Sequence, residues 1–140
     1  MGSGAVSDRI LEVSNLAASY GDRNVLRDVD RAGSKGGVVS VVGANGVGKT
    51  TLMKTIAGVK APDSGRVLFR GEESTGDSAH ELITRGLTYV PERHTIFPEM
   101  SVLDNLRTAM VPAVNTSDAT LDRVLELFPI LDERLEQNAG

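Results

Sequence analysis

Short apolar stretches separated by turn residues occupy the first part of the chain, and apolar stripes at helical spacing occupy the last part. Runs rich in β-branched residues predict strands over 10–13, continued by Leu16, and over 25–29, 38–42, 66–69 and 87–90. Apolar residues three and four apart predict helices over 49–57, 80–85, 102–110 and 118–128, with a further turn or two over 130–136. This order predicts an α/β domain followed by the start of a helical region.

Val38–Val42 is the clearest strand in the pattern, because it is β-branched and almost wholly apolar. Such a run is typical of a strand buried on both faces of a parallel sheet. It leads directly into a glycine-rich segment, and the helix after that segment is expected to end at Gly58. The strand that begins near Val25 is expected to fade early, because Asp30–Gly37 is polar and glycine-rich.

Composition narrows the class of protein. The 140 residues are 40% hydrophobic, which is ordinary for one globular domain or part of one. Met1 to Asp8 is interpreted as a flexible or vector-derived start, since it lacks the layout of a secretion signal. The absence of cysteine excludes disulfides and thiolate chemistry and favours a cytoplasmic location. A net charge of −4, with scattered basic residues, argues against nucleic acid as a partner.

The chemistry is concentrated in one motif, two glycines separated by four residues and followed by Lys and Thr. It is formed by Gly43, Ala44, Asn45, Gly46, Val47, Gly48, Lys49 and Thr50. The glycines let backbone N–H groups turn inward toward phosphate oxygens, and the following helix adds the positive end of its dipole. Lys49 is expected to reach the β- and γ-phosphates, and the Thr50 hydroxyl to ligate Mg²⁺. The alternative is a glycine-rich turn with a solvated lysine.

Neighbouring residues separate the classes of protein that share this loop. The Asn-Lys-x-Asp stretch with which GTPases read guanine is absent from the sequence. A small nucleotide kinase normally carries the loop close to its amino terminus, whereas a strand-rich segment precedes it here. These observations argue against GTPases and nucleotide kinases and leave motor and transporter ATPases, with a nucleotide kinase kept as a minor alternative.

Five segments together resemble the ATP-binding subunit of an ABC transporter: Leu11–Val13, Tyr20–Gly21, Val25–Val29, the glycine loop and Pro62–Gly65. Later segments are similar to the branched-chain amino acid importer branch of that family: Gly86–Arg93, Ile96–Val102, Asp104–Leu106, Leu127–Pro129 and Glu133–Leu135. The resemblance implies an α/β P-loop NTPase fold of the ABC ATPase type, with a strand-rich core over 9–92 and the beginning of a helical subdomain over 93–140.

The resemblance also implies roles for particular residues. Tyr20 would stack on adenine, with Val25 beside it and Thr51 following the loop. Glu92 stands where most relatives have Gln and would contact Mg²⁺ or its water. The loop around Phe97 and Pro98 would dock on a transmembrane permease subunit at the cytoplasmic face of the membrane. The alternatives are a packed or surface tyrosine, a solvated carboxylate, and a loop that packs on its own core.

Two departures from the family limit what the resemblance predicts. The polar Asp30–Gly37 segment is expected to weaken its strand and the platform beneath Tyr20. The sequence reaches Gly140 without the family's signature motif, its Asp-Glu-ended strand or its switch histidine, and His80 and His94 are interpreted as surface residues.

The competing hypotheses follow from those departures. One is the amino-terminal part of an importer ATPase, binding Mg-ATP and pairing with a second ATPase subunit in the complete protein, but hydrolysing little ATP alone. The other is a nucleotide-binding module, or an ATPase fragment that needs complementation by another polypeptide.

Overall fold

The computed structural model describes residues 8–93, 96–110 and 118–140. The chain divides into two compact units, Met1–Leu82 with Leu87–Tyr89, and Ile83–Gly86 with Val90–Gly140. The strands are β1 Arg9–Tyr20, β2 Arg23–Ser34, β3 Ser64–Phe69 and β4 Glu72–Glu73. The helices are α1 Lys49–Ile56, α2 Ala79–Thr84, α3 Val102–Met110, α4 Asp118–Leu127 and α5 Pro129–Asp132.

The first unit is built on an antiparallel sheet with strand order β2-β1-β3-β4. In its centre Val13 of β1 lies opposite Val67 of β3, and Ala18 lies opposite Leu26 of β2. Helix α1 packs on the sheet through side chains four residues apart, which lie on one face of a helix. The buried core consists of Val13, Leu16, Ala18, Leu26, Leu52, Ile56 and Val67.

Strand β2 is longer than the sequence predicts. It continues through the polar segment, where Ala32 lies opposite Glu12 and Gly33 lies opposite Leu11. The Asp30 carboxylate accepts a hydrogen bond of 2.8 Å from the Asn15 N–H and so joins the two strands. An edge strand needs backbone pairing on one side only, and its exposed side chains can be polar. The prediction that this strand fades early is therefore wrong.

Two other predicted strands are absent. Val38–Val42 and Leu87–Val90 have no strand conformation, and no described residue pairs with either segment in a ladder. Val38 is 94% exposed and Val42 92% exposed, although Val41 packs against the core. A strand is stable only with a neighbour that satisfies its backbone groups. High β-propensity without such a neighbour leaves the segment extended, so the prediction of a buried parallel strand is wrong for the described residues.

Helix α1 ends as the sequence predicts. Gly58 has a positive φ of 68°. Its N–H donates to the Thr55 carbonyl at 3.3 Å, and the Val59 N–H donates to the Lys54 carbonyl at 2.9 Å. This pair of bonds is the Schellman arrangement, in which glycine tolerates the left-handed conformation. A Cβ at Gly58 would also collide with the Asp77 carbonyl, so the position requires glycine.

Helix α3 of the second unit begins with the predicted cap. The Ser101 hydroxyl accepts the Asp104 N–H at 3.1 Å and donates to the Asp104 carboxylate at 2.9 Å, which satisfies an N–H of the first turn of α3. The carboxy-terminal segment closes on the same turn, because the Val102 N–H donates to the Gln137 carbonyl at 2.9 Å. None of the helices in the described ranges is long and apolar enough to span a bilayer.

Candidate phosphate-binding site

The glycine loop has a backbone that other residues would not readily adopt. Gly46 and Gly48 have φ angles of 80° and 104°, in the left-handed region, where a Cβ introduces strain. A Cβ on Gly43 would lie 2.8 Å from the Val47 side chain, and one on Gly48 would lie 3.1 Å from the Val25 side chain. The glycines of the motif are therefore required by conformation and by close packing.

The loop ends at the amino terminus of α1. Gly48 is the N-cap residue, no side chain caps the helix, and its first turn contains no acidic residue. The first helical bond is donated by the Leu52 N–H to the Gly48 carbonyl at 2.8 Å. The N–H groups that precede it in the first turn lack helical partners, and the dipole places partial positive charge there. This end of the helix is suited to an anion.

Lys49 adds a full positive charge to the same place. Its ammonium donates to the Gly43 carbonyl at 2.6 Å and to the Ala44 carbonyl at 2.8 Å. Both acceptors belong to the loop itself, so the charge lies over the loop and is half-buried there. An anion in the loop would meet this ammonium together with the helix N–H groups, and phosphate oxygens are suitable acceptors for both.

The residues after Lys49 differ in what they can contribute. Thr50, the second residue of α1, is exposed. Thr51 is buried, and its carbonyl accepts the Thr55 hydroxyl at 2.8 Å. Any contribution of Thr51 to a ligand would therefore come from its backbone N–H at the helix start.

The β1–β2 hairpin carries the other two predicted ligand residues of this unit. Val25 lies against Gly48, as the distance to a Cβ there shows. Tyr20 pairs with Arg23 at the end of the hairpin, and its side chain is 52% exposed. The Lys60 ammonium lies 4.6 Å from the centroid of its ring. The strand expected to be weak pairs with β1 from Ser34 to Arg23, with several irregularities in register.

The remaining predicted residues are divided between the two units. Glu92 is exposed, as are Phe97 and Pro98. His80, in α2, is exposed as the sequence predicts. His94 lies outside the described residues. Among the described residues no group of three or more His, Asp or Glu side chains is arranged to hold a metal ion.

Sequence reasoning missed two residues that hold these elements in place. Lys60 contacts Tyr20 across 40 positions of the chain, a separation that no local pattern reveals. The Asn105 side chain binds both backbone groups of Phe97, accepting its N–H at 2.7 Å and donating to its carbonyl at 2.9 Å. The Asp104–Asn105–Leu106 segment contributed to the resemblance, but its spacing carried no sign of this contact.

Residues 26–139 match the ABC transporter family. The chain is 37% identical over 134 residues to the high-affinity branched-chain amino acid transport ATP-binding protein BraG of Pseudomonas aeruginosa, covering 94% of this chain and 57% of that protein. It is 34% identical over 133 residues to the probable branched-chain amino acid transport ATP-binding protein LivF of Archaeoglobus fulgidus, covering 94% and 56%. It is 32% identical over 131 residues to the Fe(3+) ions import ATP-binding protein FbpC of Yersinia enterocolitica, covering 91% and 36%.

Solved structures agree with the sequence comparison. One ATP-binding cassette of an ABC transporter superposes with a TM-score of 0.80 at 25% identity, covering 94% of this chain and 58% of that chain. A cassette in its ADP conformation superposes with a TM-score of 0.76 at 27% identity, with the same coverage. The chain thus spans a little over half the length of its branched-chain relatives and of these cassettes. With its glycine loop, α1 and hairpin in the arrangement described above, the chain belongs to the ABC transporter family, as part of an ATP-binding cassette.

Proposed function

We propose that this chain binds Mg-ATP in the glycine loop and forms the nucleotide-binding part of an importer ATPase. The observation that carries the proposal is the uncapped amino terminus of α1 with the Lys49 ammonium beside it. A helix end, turned-in backbone groups and a lysine are the features that hold a polyphosphate. The names of the relatives and the ADP conformation of a related cassette support a nucleotide as the ligand.

The ligand would extend from the loop toward the β1–β2 hairpin. Val25 packs against Gly48, so the hairpin borders the loop through β2, and Tyr20 lies at the turn end of the same hairpin. A half-exposed aromatic ring is a suitable platform for a base, since stacking contributes roughly 1–3 kcal/mol per base in nucleic-acid complexes. In this proposal Lys49 exchanges its loop carbonyls for phosphate oxygens, and Tyr20 receives the adenine.

Magnesium fits the donors that the chain offers. Mg²⁺ prefers oxygen ligands and usually keeps several waters beside phosphate oxygens and one or two protein groups. The Thr50 hydroxyl at the start of α1 is such a group, and the role of Glu92, which belongs to the second unit, stays a sequence-based prediction. The ion, when bound, would neutralise charge on the phosphates, and Thr50 would hold it or one of its waters.

The proposal also covers the transported solute and the partner subunits. Two relatives are branched-chain amino acid transport proteins, while a third is an Fe(3+) ion import protein at slightly lower identity. We infer a branched-chain amino acid importer, because the first two relatives match a larger share of their own length. In the complete protein this part would act with a second ATPase subunit and permease subunits at the cytoplasmic face of the membrane.

The proposed contact with the permease is the loop around Phe97. Phe97 and Ile96 are exposed apolar side chains, which are common in protein-binding surfaces. The Asn105 amide holds the Phe97 backbone and also donates to the Ser101 carbonyl at 3.0 Å. The loop is therefore fixed through its backbone, which leaves the Phe97 side chain available for a partner.

The exposed valines favour a second candidate, an ATPase fragment that is completed by another polypeptide. Val38 and Val42 are almost fully exposed beside the loop, and an added strand would bury them. The remaining part of a branched-chain relative, supplied as a separate polypeptide, should then raise ATP turnover above that of this chain alone. Unchanged turnover would leave the chain as a nucleotide-binding module.

Isothermal titration with Mg-ATP tests the binding proposal. Replacement of Lys49 by Ala should weaken binding by about 10- to 100-fold, since hydrogen bonds to a charged group contribute roughly 1.5–3 kcal/mol. Lys54→Ala removes an equal charge from the last turn of the same helix and should have little effect. An equal loss in both variants, or no loss in either, would contradict phosphate binding by the loop.

A further inference from the structure

One face of the Tyr20 ring is covered by a cation. The Lys60 ammonium lies 4.6 Å from the ring centroid, within the distance at which an aromatic face attracts a positive charge. The Tyr20 side chain nevertheless remains 52% exposed. A ring has two faces, and the ammonium lies over one of them.

The backbone of Lys60 is fixed between the helix and the strand that carries the ring. Its N–H donates to the Lys54 carbonyl at 3.1 Å, at the carboxyl end of α1. Three residues later the Asp63 N–H donates to the Ala17 carbonyl of β1 at 2.8 Å, and the Asp63 carboxylate accepts the Ser19 hydroxyl at 2.5 Å. These bonds keep the turn beside the end of β1, so the lysine side chain starts close to the ring that it covers.

We propose that Lys60 is a positioning residue for the nucleobase. Its ammonium holds the Tyr20 ring in one orientation and directs the base to the opposite face. This inference rests on the proposed function, in which Tyr20 receives the base of a nucleoside triphosphate. A ring ordered before the ligand arrives loses less freedom on binding, and such preorganisation strengthens binding without adding a contact.

A second effect of the same charge is separable by experiment. An ammonium near the site also attracts phosphates through space, and that attraction acts on any triphosphate, with or without a base. Inorganic tripolyphosphate carries the phosphates alone. The ratio of its dissociation constant to that of ATP therefore isolates the contribution of the base and of whatever positions it.

The test is a titration of the whole chain with ATP and with tripolyphosphate, both in excess Mg²⁺. Lys60→Met should lower the preference for ATP over tripolyphosphate by about 2- to 5-fold, the change that an exposed cation–π contact supplies. Lys60→Arg keeps a cation that can cover the ring and should restore the preference. Lys54→Met, the matched control, removes a lysine from the last turn of α1 and should leave the ratio unchanged.

A double-mutant cycle identifies the ring as the route of the effect. Tyr20→Ala should lower the preference for ATP further than Lys60→Met does. In the Tyr20→Ala background, Lys60→Met should change nothing more, because the lysine acts through a ring that is no longer there. An undiminished effect in that background would overturn the inference.

The remaining outcomes separate this inference from the function on which it rests. If ATP is preferred over tripolyphosphate and Tyr20→Ala removes the preference, while Lys60→Met leaves it intact, base stacking stands and the role of Lys60 is overturned. Equal weakening of both ligands by Lys60→Met also overturns it, since that result shows a general charge effect. A wild-type chain that binds both ligands equally overturns base stacking, and the role of Lys60 with it.

Discussion

Asp30–Ser34 and Val38–Val42 are close neighbours in the chain, yet they contrast in both polarity and structure. The first is polar and completes strand β2, with Ser34 opposite Arg9 at the end of the ladder. The second is almost wholly apolar, has no strand conformation, and exposes Val38 and Val42 nearly completely. The difference is the presence of a partner: β1 offers its edge to the first segment, and no described residue pairs with the second.

The contrast shows how the glycine loop is held. The segment before the loop is exposed apart from Val41, which packs against the core. After the loop, α1 buries Leu52 and Ile56 in the core, and Gly48 lies against Val25 of β2. The loop is thus anchored from its helix side and from the hairpin. Phosphate binding should depend on these contacts far more than on Val38–Val42.

The largest effect is expected from replacing valine by alanine at a buried position and, for comparison, at an exposed position of 38–42. Val67 is 2% exposed in the core, and Val42 is 92% exposed. Val67→Ala should lower the free energy of unfolding by about 2 kcal/mol, from lost burial and a cavity. Val42→Ala should change it by less than about 0.5 kcal/mol. Urea unfolding of both variants measures the difference, and similar losses would show that Val42 is packed.

A smaller effect should appear in self-association. Neighbouring exposed valines form an apolar surface that favours contact between copies of the chain. Val42→Lys should shift the sedimentation profile toward monomer at concentrations where the wild-type chain associates. Asn24→Lys adds the same charge at an exposed position of β2 and serves as the control. An equal shift in both variants would show that net charge, rather than the valine surface, governs association.

The smallest expected effect concerns a polar contact that supports the sheet. The Thr75 hydroxyl, and then Arg66, hold the pKa of Glu73 below its usual 4.5. The unfolded chain therefore binds this proton more readily than the native state does. The contribution to stability is present above the unfolded pKa and is lost as the pH falls through the folded value.

Glu73→Gln should therefore make unfolding slightly less sensitive to pH in the acid range below about pH 4.5. The change should be modest, because both charged partners are exposed to solvent. Urea midpoints of wild type and variant, compared at neutral and acid pH, measure it. If the urea midpoint changes between the two pH values by the same amount in wild type and in the variant, the coupling of Glu73 to Thr75 and Arg66 is contradicted.

Local features were predictable from the sequence, and features that depend on distant partners were not. The glycine loop, the end of α1 at Gly58 and the Ser101–Asp104 cap each depend on a few neighbouring residues, and the structure confirms their conformations. Whether a β-prone run becomes a strand depends on a partner elsewhere in the chain. For that reason Val38–Val42 was predicted wrongly and the length of β2 was underestimated.

In the candidate site, too, the local features were predictable and the contacts between distant residues were not. The spacing of the motif predicted the loop and Lys49, and the family resemblance added Tyr20 and Val25. The contact of Val25 with Gly48 is a tertiary one that the structure supplies. Lys60 and Asn105 could not be predicted, because their partners are set by how the turn meets β1 and by how the loop folds before α3.

Amide hydrogen exchange with and without Mg-ATP tests most directly the claim that the loop binds the nucleotide while anchored by α1 and the hairpin. The amides of 39–42 should exchange rapidly in both conditions, while those of 11–13 in the ladder are protected. Mg-ATP at a concentration near its wild-type dissociation constant should protect the amides of 46–51, and Lys49→Ala should largely remove that protection at the same concentration. Nucleotide binding by a loop anchored in this way is contradicted if 39–42 is protected without nucleotide as strongly as 11–13, or if Mg-ATP leaves the exchange of 46–51 unchanged.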